Sequence, residues 1–356
     1  MIVENHLDPS MQPGPDVAKA TGISRPLLTL AVPTYNRSQF LTIFLAAIAP
    51  QFAGESRVEL LISDNASPDD TANVVQSYQA QGIPVRYICN ETNVGPDRNF
   101  LQCFEQASGK YVWICGDDDV IEPSGLGRVL TYLESDPEYD LIFLQARGFQ
   151  GAYTPQTPKS PDRVTVFTRA EQAARHVHVF FSFISGTIIN KEKVSAVPHR
   201  PFSDLAETQL VQLSWTYTAL EHHRRSLMIH TPLIATLSNN TGGYPLFKVF
   251  GVNLKRVTEE WISSEGVKTA VFRGALLAFF PWFLVRRKGG PKFTAEDPEA
   301  ILRPLFGNYV YYWIFNYPIM KLPPVLGRVW FFFVRAINKV DKMLGRPLVG
   351  LPHSWP

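Results

Sequence analysis

The chain has 356 residues, of which 45% are hydrophobic and 19% are charged, and its formal net charge is +2. This length can bury one large core or two modest ones, and the composition excludes a disordered or fibrous chain. The three cysteines (Cys89, Cys103 and Cys115) form no C-x-x-C pair, which argues against a disulfide scaffold or a zinc module and favours a reducing compartment.

Residues 1–25 are expected to form a flexible leader, because they are polar and lack the apolar centre of a secretory signal. From residue 26 to residue 244, short apolar runs alternate with helical patterns. This alternation predicts an α/β domain with a mostly parallel sheet and helices on both faces. The expected strands are 27–32, 58–63, 85–89, 111–115, 141–146 and 186–190. The expected helices are 39–49, 68–78 after a capping Ser67, 99–107, 169–178 and 205–220.

Four polar turns follow predicted strands, at residues 33–37, 64–67, 90–99 and 116–119. Ligands of open α/β sheets bind outside the carboxyl ends of the strands, so these turns carry the candidate site. Asp64 can accept a hydrogen bond from the base or ribose of a nucleotide, or it can be an ordinary turn aspartate. Gly95 and Arg98 precede a helix in a turn that suits a diphosphate, with a plain surface turn as the alternative.

The acidic turn Gly116-Asp117-Asp118-Asp119 is the strongest local feature. Three carboxylates repel one another unless a positive charge lies among them, and Mg²⁺ or Mn²⁺ suits oxygen ligands of this kind. Such a cation, shared with substrate phosphates, would neutralise a departing nucleoside diphosphate. The alternative is a solvated acidic loop that caps the helix expected after Pro123.

Taken in order, these segments resemble one known family. VPTYNR (32–37), SDNAS (63–67), NVGPDRNF (93–100) and WICGDDDVIEP (113–123) are similar to the inverting glycosyltransferase family 2, which has the GT-A fold. The resemblance covers residues 27–150 closely and 150–240 loosely. The GPDRNF and GDDD forms look most like abequosyltransferase-type enzymes that build bacterial surface polysaccharides such as O-antigen. The resemblance therefore implies sugar transfer from a nucleotide-diphosphate donor to a saccharide acceptor, with Mg²⁺ or Mn²⁺.

The resemblance also implies roles for individual residues. The implied donor-binding residues are Pro33, Thr34, Tyr35, Arg37, Asp64, Asn93, Gly95, Arg98 and Asp117. The implied metal ligands are Asp117, Asp118 and Asp119. The family motif is commonly Asp-x-Asp-Asp, and Gly116 stands where the first aspartate is usually found.

An inverting transferase needs a base that takes the proton of the acceptor hydroxyl. Residues 202–207 are expected to open a helix at a suitable distance after the acidic turn, which makes Asp204 and Glu207 the candidate catalytic bases. Acids in the first turn of a helix are also favoured by its dipole, so a structural role is the alternative.

Residues 245–356 differ from the rest in charge, with 16 basic and 7 acidic residues (net +9) against net −7 for residues 1–244. Their aromatic apolar segments (275–285, 309–320 and 329–334) are shorter than the roughly 18–20 residues that span a bilayer, and Lys or Arg residues follow them. This pattern predicts a helical region that lies on an anionic membrane or packs on the catalytic core. The aromatic content favours a membrane over a nucleic acid, and hence a lipid-linked acceptor at the cytoplasmic face.

Two other functions stay open at the level of sequence. A sugar-nucleotide pyrophosphorylase shares a related sheet, but its first strand is followed by a Gly-rich, Arg-bearing loop, which VPTYNR is not. A catalytically silent nucleotide-sugar binding protein is allowed, because Gly116 replaces an expected acid. The sequence has no G-x-S-x-G, H-E-x-x-H or Walker-type motif, which removes the common hydrolase and NTPase functions.

Overall fold

The structure is a computed structural model that describes residues 25–135, 138–159, 161–238, 243–287 and 296–343, with the backbone alone from residue 337 onward. The expected leader lies outside the described residues apart from Arg25.

Within the described residues, nine strands form one mixed sheet in the order β3-β2-β1-β4-β8-β6-β9-β5, with β7 beside the first half of β9. Strands β1 to β4 are parallel, and β8 is antiparallel to both β4 and β6. The strands are β1 Leu28–Thr34, β2 Val58–Asp64, β3 Val85–Cys89, β4 Tyr111–Ile114, β5 Asp119–Ile121, β6 Leu141–Phe149, β7 Val164–Phe167, β8 Thr187–Asn190 and β9 Ser226–Leu237. The predicted α/β class is confirmed, and the parallel strands β3, β2, β1 and β4 form one side of the sheet.

Helices cover both faces of the sheet. Leu30 belongs to an apolar cluster shared with α1, α2 and α4, whereas its neighbour Ala31 belongs to a cluster on the other face with α3 and α7. This alternation follows from the two-residue period of a strand. The helices are α1 Ser38–Ile48, α2 Thr71–Ala80, α3 Pro96–Gln106, α4 Gly125–Leu133, α5 Ala170–Val177, α6 Lys191–Ala196, α7 Gln212–Glu221, α8 Leu254–Trp261, α9 Glu265–Gly274, α10 Phe280–Arg287, α11 Pro298–Phe306, α12 Tyr317–Lys321 and α13 Pro324–Met343.

Two predicted helix starts are wrong. Helix α2 begins at Thr71, because the Ser67 hydroxyl accepts a hydrogen bond from the Asn36 backbone N–H (2.8 Å) and does not cap the helix. Helix α7 begins at Gln212 and not at residue 205. A 3₁₀ turn precedes it, and then a loop in which Glu207 and Gln209 have positive φ values of 72° and 60°, which a right-handed helix excludes.

The C-terminal region packs on the catalytic core. Phe247, Phe280 and Phe306 are fully buried in the same cluster as Trp215 of α7. The packing role that the sequence left open is therefore observed. The domain boundary at residue 244 stays a prediction.

One C-terminal helix is longer than the sequence indicated. Helices α9 and α10 are joined by a π-helical turn at Ala275–Phe279 into a continuous helix, Glu265–Arg287, of 23 residues, which contains an 18-residue apolar window of mean hydropathy 1.4. The expectation that no segment reaches a bilayer-spanning length is thus corrected. However, 67% of the apolar window is buried inside the protein, as in the core helix of a globular fold.

Candidate active site

A cleft of about 760 Å³ lies at the edge of the sheet where β1, β2, β3 and β4 end. The parallel pairing brings the four predicted polar turns to this edge, with Thr34 in register with Asp64. Eight of the predicted site residues line the cleft: Pro33, Thr34, Tyr35, Arg37, Asn93, Asp117, Asp118 and Asp119. Five do not line it: Asp64, Gly95, Arg98, Asp204 and Glu207.

Asp117 is held by the protein itself. The Thr34 hydroxyl donates to its Oδ2 (2.8 Å), and Nη1 of Arg37 lies 2.8 Å from its Oδ1. Burial raises the pKa of Asp117 to about 6, although the Arg37 charge opposes this shift. The same guanidinium lies 3.4 Å from Asp118. Asp117 therefore anchors the acidic turn to β1.

Asp118 and Asp119 face one small space beside Gly116. A Cβ atom at Gly116 would lie 3.1 Å from Oδ1 of Asp118 and 3.5 Å from Oδ2 of Asp119. Asp119 is buried, and its pKa is well above the usual range because of that burial and the neighbouring Asp118 charge. A cation in this space would relieve the repulsion between the two carboxylates.

The predicted three-aspartate metal site is not assembled. Across the part of the chain that the structure describes, no three His, Cys, Asp or Glu side chains are placed to hold a metal ion. Both oxygens of Asp117 are engaged, by Thr34 and Arg37, and Arg37 also lies 3.4 Å from Asp118. Asp118 and Asp119 are the two carboxylates of the turn that face the space beside Gly116. Mg²⁺ is commonly held by one or two carboxylates together with substrate phosphates, so the residues present fit a metal that arrives with a diphosphate.

Asp64 organises the turn after β2. Its side chain is 1% exposed, and its carboxylate accepts hydrogen bonds from the Ser67 backbone N–H (2.9 Å) and from the Tyr87 hydroxyl. This is the turn role that the sequence gave as the alternative, and the nucleotide role stays a prediction. The adjacent Asn65 lines the cleft and donates to Oδ1 of Asn93 (2.8 Å). Sequence reasoning missed Asn65, although it lies inside the SDNAS motif.

Arg98 and Glu207 contact each other outside the cleft, as an exposed ion pair at 3.4 Å. Asp204 lies in the 3₁₀ turn Phe202–Leu205 and is 3.5 Å from Arg200. Neither predicted base opens a helix, because the chain turns into the positive-φ loop before α7 begins.

The neighbour of Arg98 points inward instead. Asp97 is 4% exposed, lines the cleft and accepts a hydrogen bond from the Gln209 backbone N–H (2.7 Å). Burial raises the pKa of this carboxylate, and the nearby backbone N–H groups of the loop oppose that shift. Asp97 therefore fixes the loop that bears Glu207. This role of Asp97 depends on a contact between distant parts of the chain, and its position in GPDRNF was the one indication of it in the sequence.

An aromatic part of the cleft lining comes from the C-terminal region. Trp282, Phe283 and Arg286 of α10 line the same cleft as Asp118. Further apolar lining comes from Phe180, Phe183, Ile184, Leu237, Tyr244, Leu246, Phe250 and Phe279. The sequence marked residues 275–285 as apolar, but nothing in the pattern indicated that they form a wall of the site.

Comparison with known proteins relates this chain to enzymes of sugar transfer. The model of the family "Glycosyl transferase family 2" matches residues 29–197. Abequosyltransferase RfbV of Salmonella typhimurium is 32% identical over 182 residues, which are 48% of this chain and 55% of that relative. The matched segment thus spans about half the length of the relative.

Two solved structures share the fold. The crystal structure of residues 1–349 of Staphylococcus aureus TarS with UDP-GlcNAc has a TM-score of 0.51 at 15% identity and covers 90% of this chain and 92% of that one. The mannosyltransferase PcManGT from Pyrobaculum calidifontis, in complex with GDP-Man and Mn²⁺, has a TM-score of 0.51 at 16% identity and covers 90% and 88%. At these identities the likeness concerns the fold, which is GT-A.

Proposed function

We propose that the protein transfers a sugar from a nucleotide-diphosphate donor to a saccharide acceptor, with inversion, in surface polysaccharide synthesis, because the model of glycosyl transferase family 2 matches residues 29–197 and the fold is GT-A. The observation that carries the proposal is a single cleft whose lining combines two chemically distinct sets of residues. One set is polar and comes from the turn after β1 and the acidic turn, and the other is aromatic and comes partly from α10. A nucleotide diphosphate needs polar contacts and positive charge, whereas an acceptor can bind through apolar contacts.

The donor nucleotide is proposed to lie along Pro33, Thr34 and Tyr35. These residues leave β1 at the cleft edge, and the Tyr35 side chain is 42% exposed there. Asn65 and Asn93 form the opposite rim and are joined by their amides. An exposed ring and fixed amides suit a flat base and its ribose.

Asp118 and Asp119 are the residues that would hold Mg²⁺ or Mn²⁺. The cation would supply positive charge to the leaving nucleoside diphosphate. Arg37 and Thr34 keep Asp117 at the floor of the cleft, so the turn presents the other two carboxylates toward the donor. The Mn²⁺ in the complex of PcManGT with GDP-Man supports this assignment.

Asp204 and Glu207 stay the proposed bases for the acceptor proton. Neither lines the cleft, and Glu207 is 82% exposed in its pair with Arg98. Catalytic hydrogen bonds often form only when the substrates are bound. Either acid would therefore act after acceptor binding has rearranged the segment between Phe202 and Val211.

A peripheral position on the cytoplasmic face of the membrane is proposed from α13. Four apolar side chains on this helix are 54–70% exposed: Val325, Val329, Phe332 and Phe333. Lys321, Arg328 and Arg335 lie beside them in sequence, within a region of net charge +9. An apolar face flanked by cations binds the interface of an anionic bilayer, where a lipid-linked acceptor would be found.

The function is tested by incubating the full chain with a panel of nucleotide sugars and Mn²⁺ and measuring the released phosphates. Slow release of nucleoside diphosphate, abolished by EDTA and restored by Mn²⁺, supports the transferase. Pyrophosphate formed from an NTP and a sugar phosphate would establish the pyrophosphorylase instead. A chain that binds no donor and turns none over is not a transferase.

A further inference from the structure

Helix α10 contributes a wall of the cleft that the donor assignment does not use. Trp282, Phe283 and Arg286 lie at spacings of one, three and four residues, and all three line the cleft. Side chains at spacings of three and four share one helical face. The opposite face of α10 is buried through Phe280 and Leu284. The wall is therefore a defined surface, held by the core behind it.

Arg286 places a cation on this apolar wall. Its guanidinium lies over the Trp282 ring, 4.2 Å from the centroid, and forms no ion pair among the described residues. Burial alone lowers the pKa of Arg286, and no carboxylate offsets that shift. A half-buried cation that no acid neutralises is a site for an anion, because its desolvation is otherwise uncompensated.

The wall is continuous with the exposed face of α13. Trp282 contacts Phe331 of α13 (6.0 Å between ring centroids), and Arg335 of α13 lies 5.9 Å from the Trp282 ring. Phe331 is buried against α10, whereas the next residues, Phe332 and Phe333, are exposed. A molecule anchored beside α13 would thus meet Arg286 and Trp282 before it reaches the acidic turn.

We propose that the α10 wall is the acceptor subsite, in which Arg286 binds the phosphate of an isoprenoid-linked saccharide and the aromatic side chains hold its apolar neighbour. The proposal rests on the proposed function. It follows from one cleft that is lined both by the acidic turn and by Arg286 on an aromatic surface, and from the contact of that surface, through Trp282 and Phe331, with α13, the helix proposed to face the membrane. A water-soluble glycan acceptor would need many polar contacts, whereas this wall offers only the Arg286 guanidinium and the indole N–H of Trp282.

The test is binding of farnesyl diphosphate to the full chain, measured by calorimetry, with Arg286→Gln as the variant. We expect the affinity to fall at least tenfold in Arg286→Gln, and farnesol to bind the wild type at least tenfold more weakly than farnesyl diphosphate. Arg303→Gln is the matched control, because Arg303 also lies over a tryptophan (Trp313, 5.7 Å) but does not line the cleft. Its affinity should equal that of the wild type. Arg286→Lys should retain most of the binding.

Wild-type affinity in Arg286→Gln, with an unchanged melting temperature, would overturn the proposal. The same holds if Arg286→Gln raises the KM for the donor in the diphosphate-release assay but leaves farnesyl diphosphate binding intact, since the cation would then serve the donor. Failure of the wild type to release nucleoside diphosphate from any donor would refute the proposed function. That result is distinguishable, because the binding measurement does not require turnover.

Discussion

Nη1 of Arg37 lies 2.8 Å from Oδ1 of Asp117, so the first aspartate of the acidic turn is neutralised by the protein. The Thr34 hydroxyl occupies its other oxygen. Asp118 and Asp119 instead turn toward the space beside Gly116. We therefore assign different tasks to adjacent aspartates: Asp117 holds the turn in place, and Asp118 meets the donor.

Replacement of the cleft-facing carboxylate should remove activity and leave the fold intact. We expect Asp118→Asn to lower kcat/KM for diphosphate release by about 10²–10³-fold, because the variant lacks a carboxylate that would hold the cation beside the leaving diphosphate. The melting temperature should stay within about 2 °C of the wild type, since Asp118 is only partly buried, Arg37 keeps its closer partner Asp117, and asparagine has nearly the same size. Near-wild-type turnover in this variant would refute the role of Asp118.

Asp117→Asn should instead destabilise the protein. Asparagine has only one acceptor oxygen, so either the Thr34 hydroxyl or the Arg37 guanidinium would lose its acceptor and face an amide N–H. This loss outweighs the relief of removing a buried charge, and we expect a decrease of about 1–3 kcal/mol in the free energy of unfolding. Urea titration of both variants measures the difference. The two assignments are wrong if Asp117→Asn is as stable as the wild type while Asp118→Asn is not.

The sequence predicted the part of the site whose residues belong to local sequence patterns, namely the polar turns that follow the strands. Strands β1 and β2 are apolar runs buried on both faces, as parallel strands are, and the turns after them follow directly. The order of the polar turns predicted a cleft lined by Thr34, Arg37 and Asp118, and the structure places all three there.

The other half depends on contacts between distant residues. The positive φ of Glu207 arises in a loop held by the Asp97 carboxylate, about a hundred positions earlier, so no local pattern marks it. The α10 wall follows from packing of the C-terminal helices on the core. Aromatic residues followed by arginines look the same in sequence whether they face lipid, core or substrate.

Loss of the Asp97 carboxylate should loosen the loop before α7. We expect Asp97→Ala to raise amide hydrogen exchange at residues 207–211 at least tenfold, because the Gln209 backbone N–H loses its buried acceptor and the loop loses the contact that holds it. Arg98→Ala is the control. It removes only an exposed ion pair to Glu207, which is worth roughly 0–1 kcal/mol, so exchange in the loop should change little. Equal exchange in the two variants would show that Asp97 does not hold the loop.

The exposed face of α13 should bind anionic membranes. We expect the double variant Phe332→Glu/Phe333→Glu to reduce sedimentation with vesicles containing phosphatidylglycerol by about tenfold, because burial of two phenyl rings is replaced by two like charges. Ile43→Glu is the control, since Ile43 is an exposed apolar residue of α1, far from this region in the fold. Binding that is insensitive to the α13 changes would exclude this face as the membrane contact.

Gly274 is required for the close packing of α9 against His178. A Cβ atom at position 274 would lie 2.2 Å from Cγ and 2.4 Å from Cβ of the buried His178, which is nearer than two carbon atoms can approach. Gly274→Ala should therefore lower the free energy of unfolding by about 1–3 kcal/mol, the usual cost of overpacking a core.

The matched substitution is Gly127→Ala in α4, where a new Cβ meets no atom within 4 Å. Alanine there should stabilise the protein by about 0.5–1 kcal/mol, because it has the higher helix propensity. The urea unfolding midpoints of the two variants should thus shift in opposite directions.

Because α9 continues into α10, Gly274→Ala should also weaken farnesyl diphosphate binding at the α10 wall, whereas Gly127→Ala should not. A Gly274→Ala variant as stable as the wild type would contradict the tight α9 packing on which the position of that wall depends.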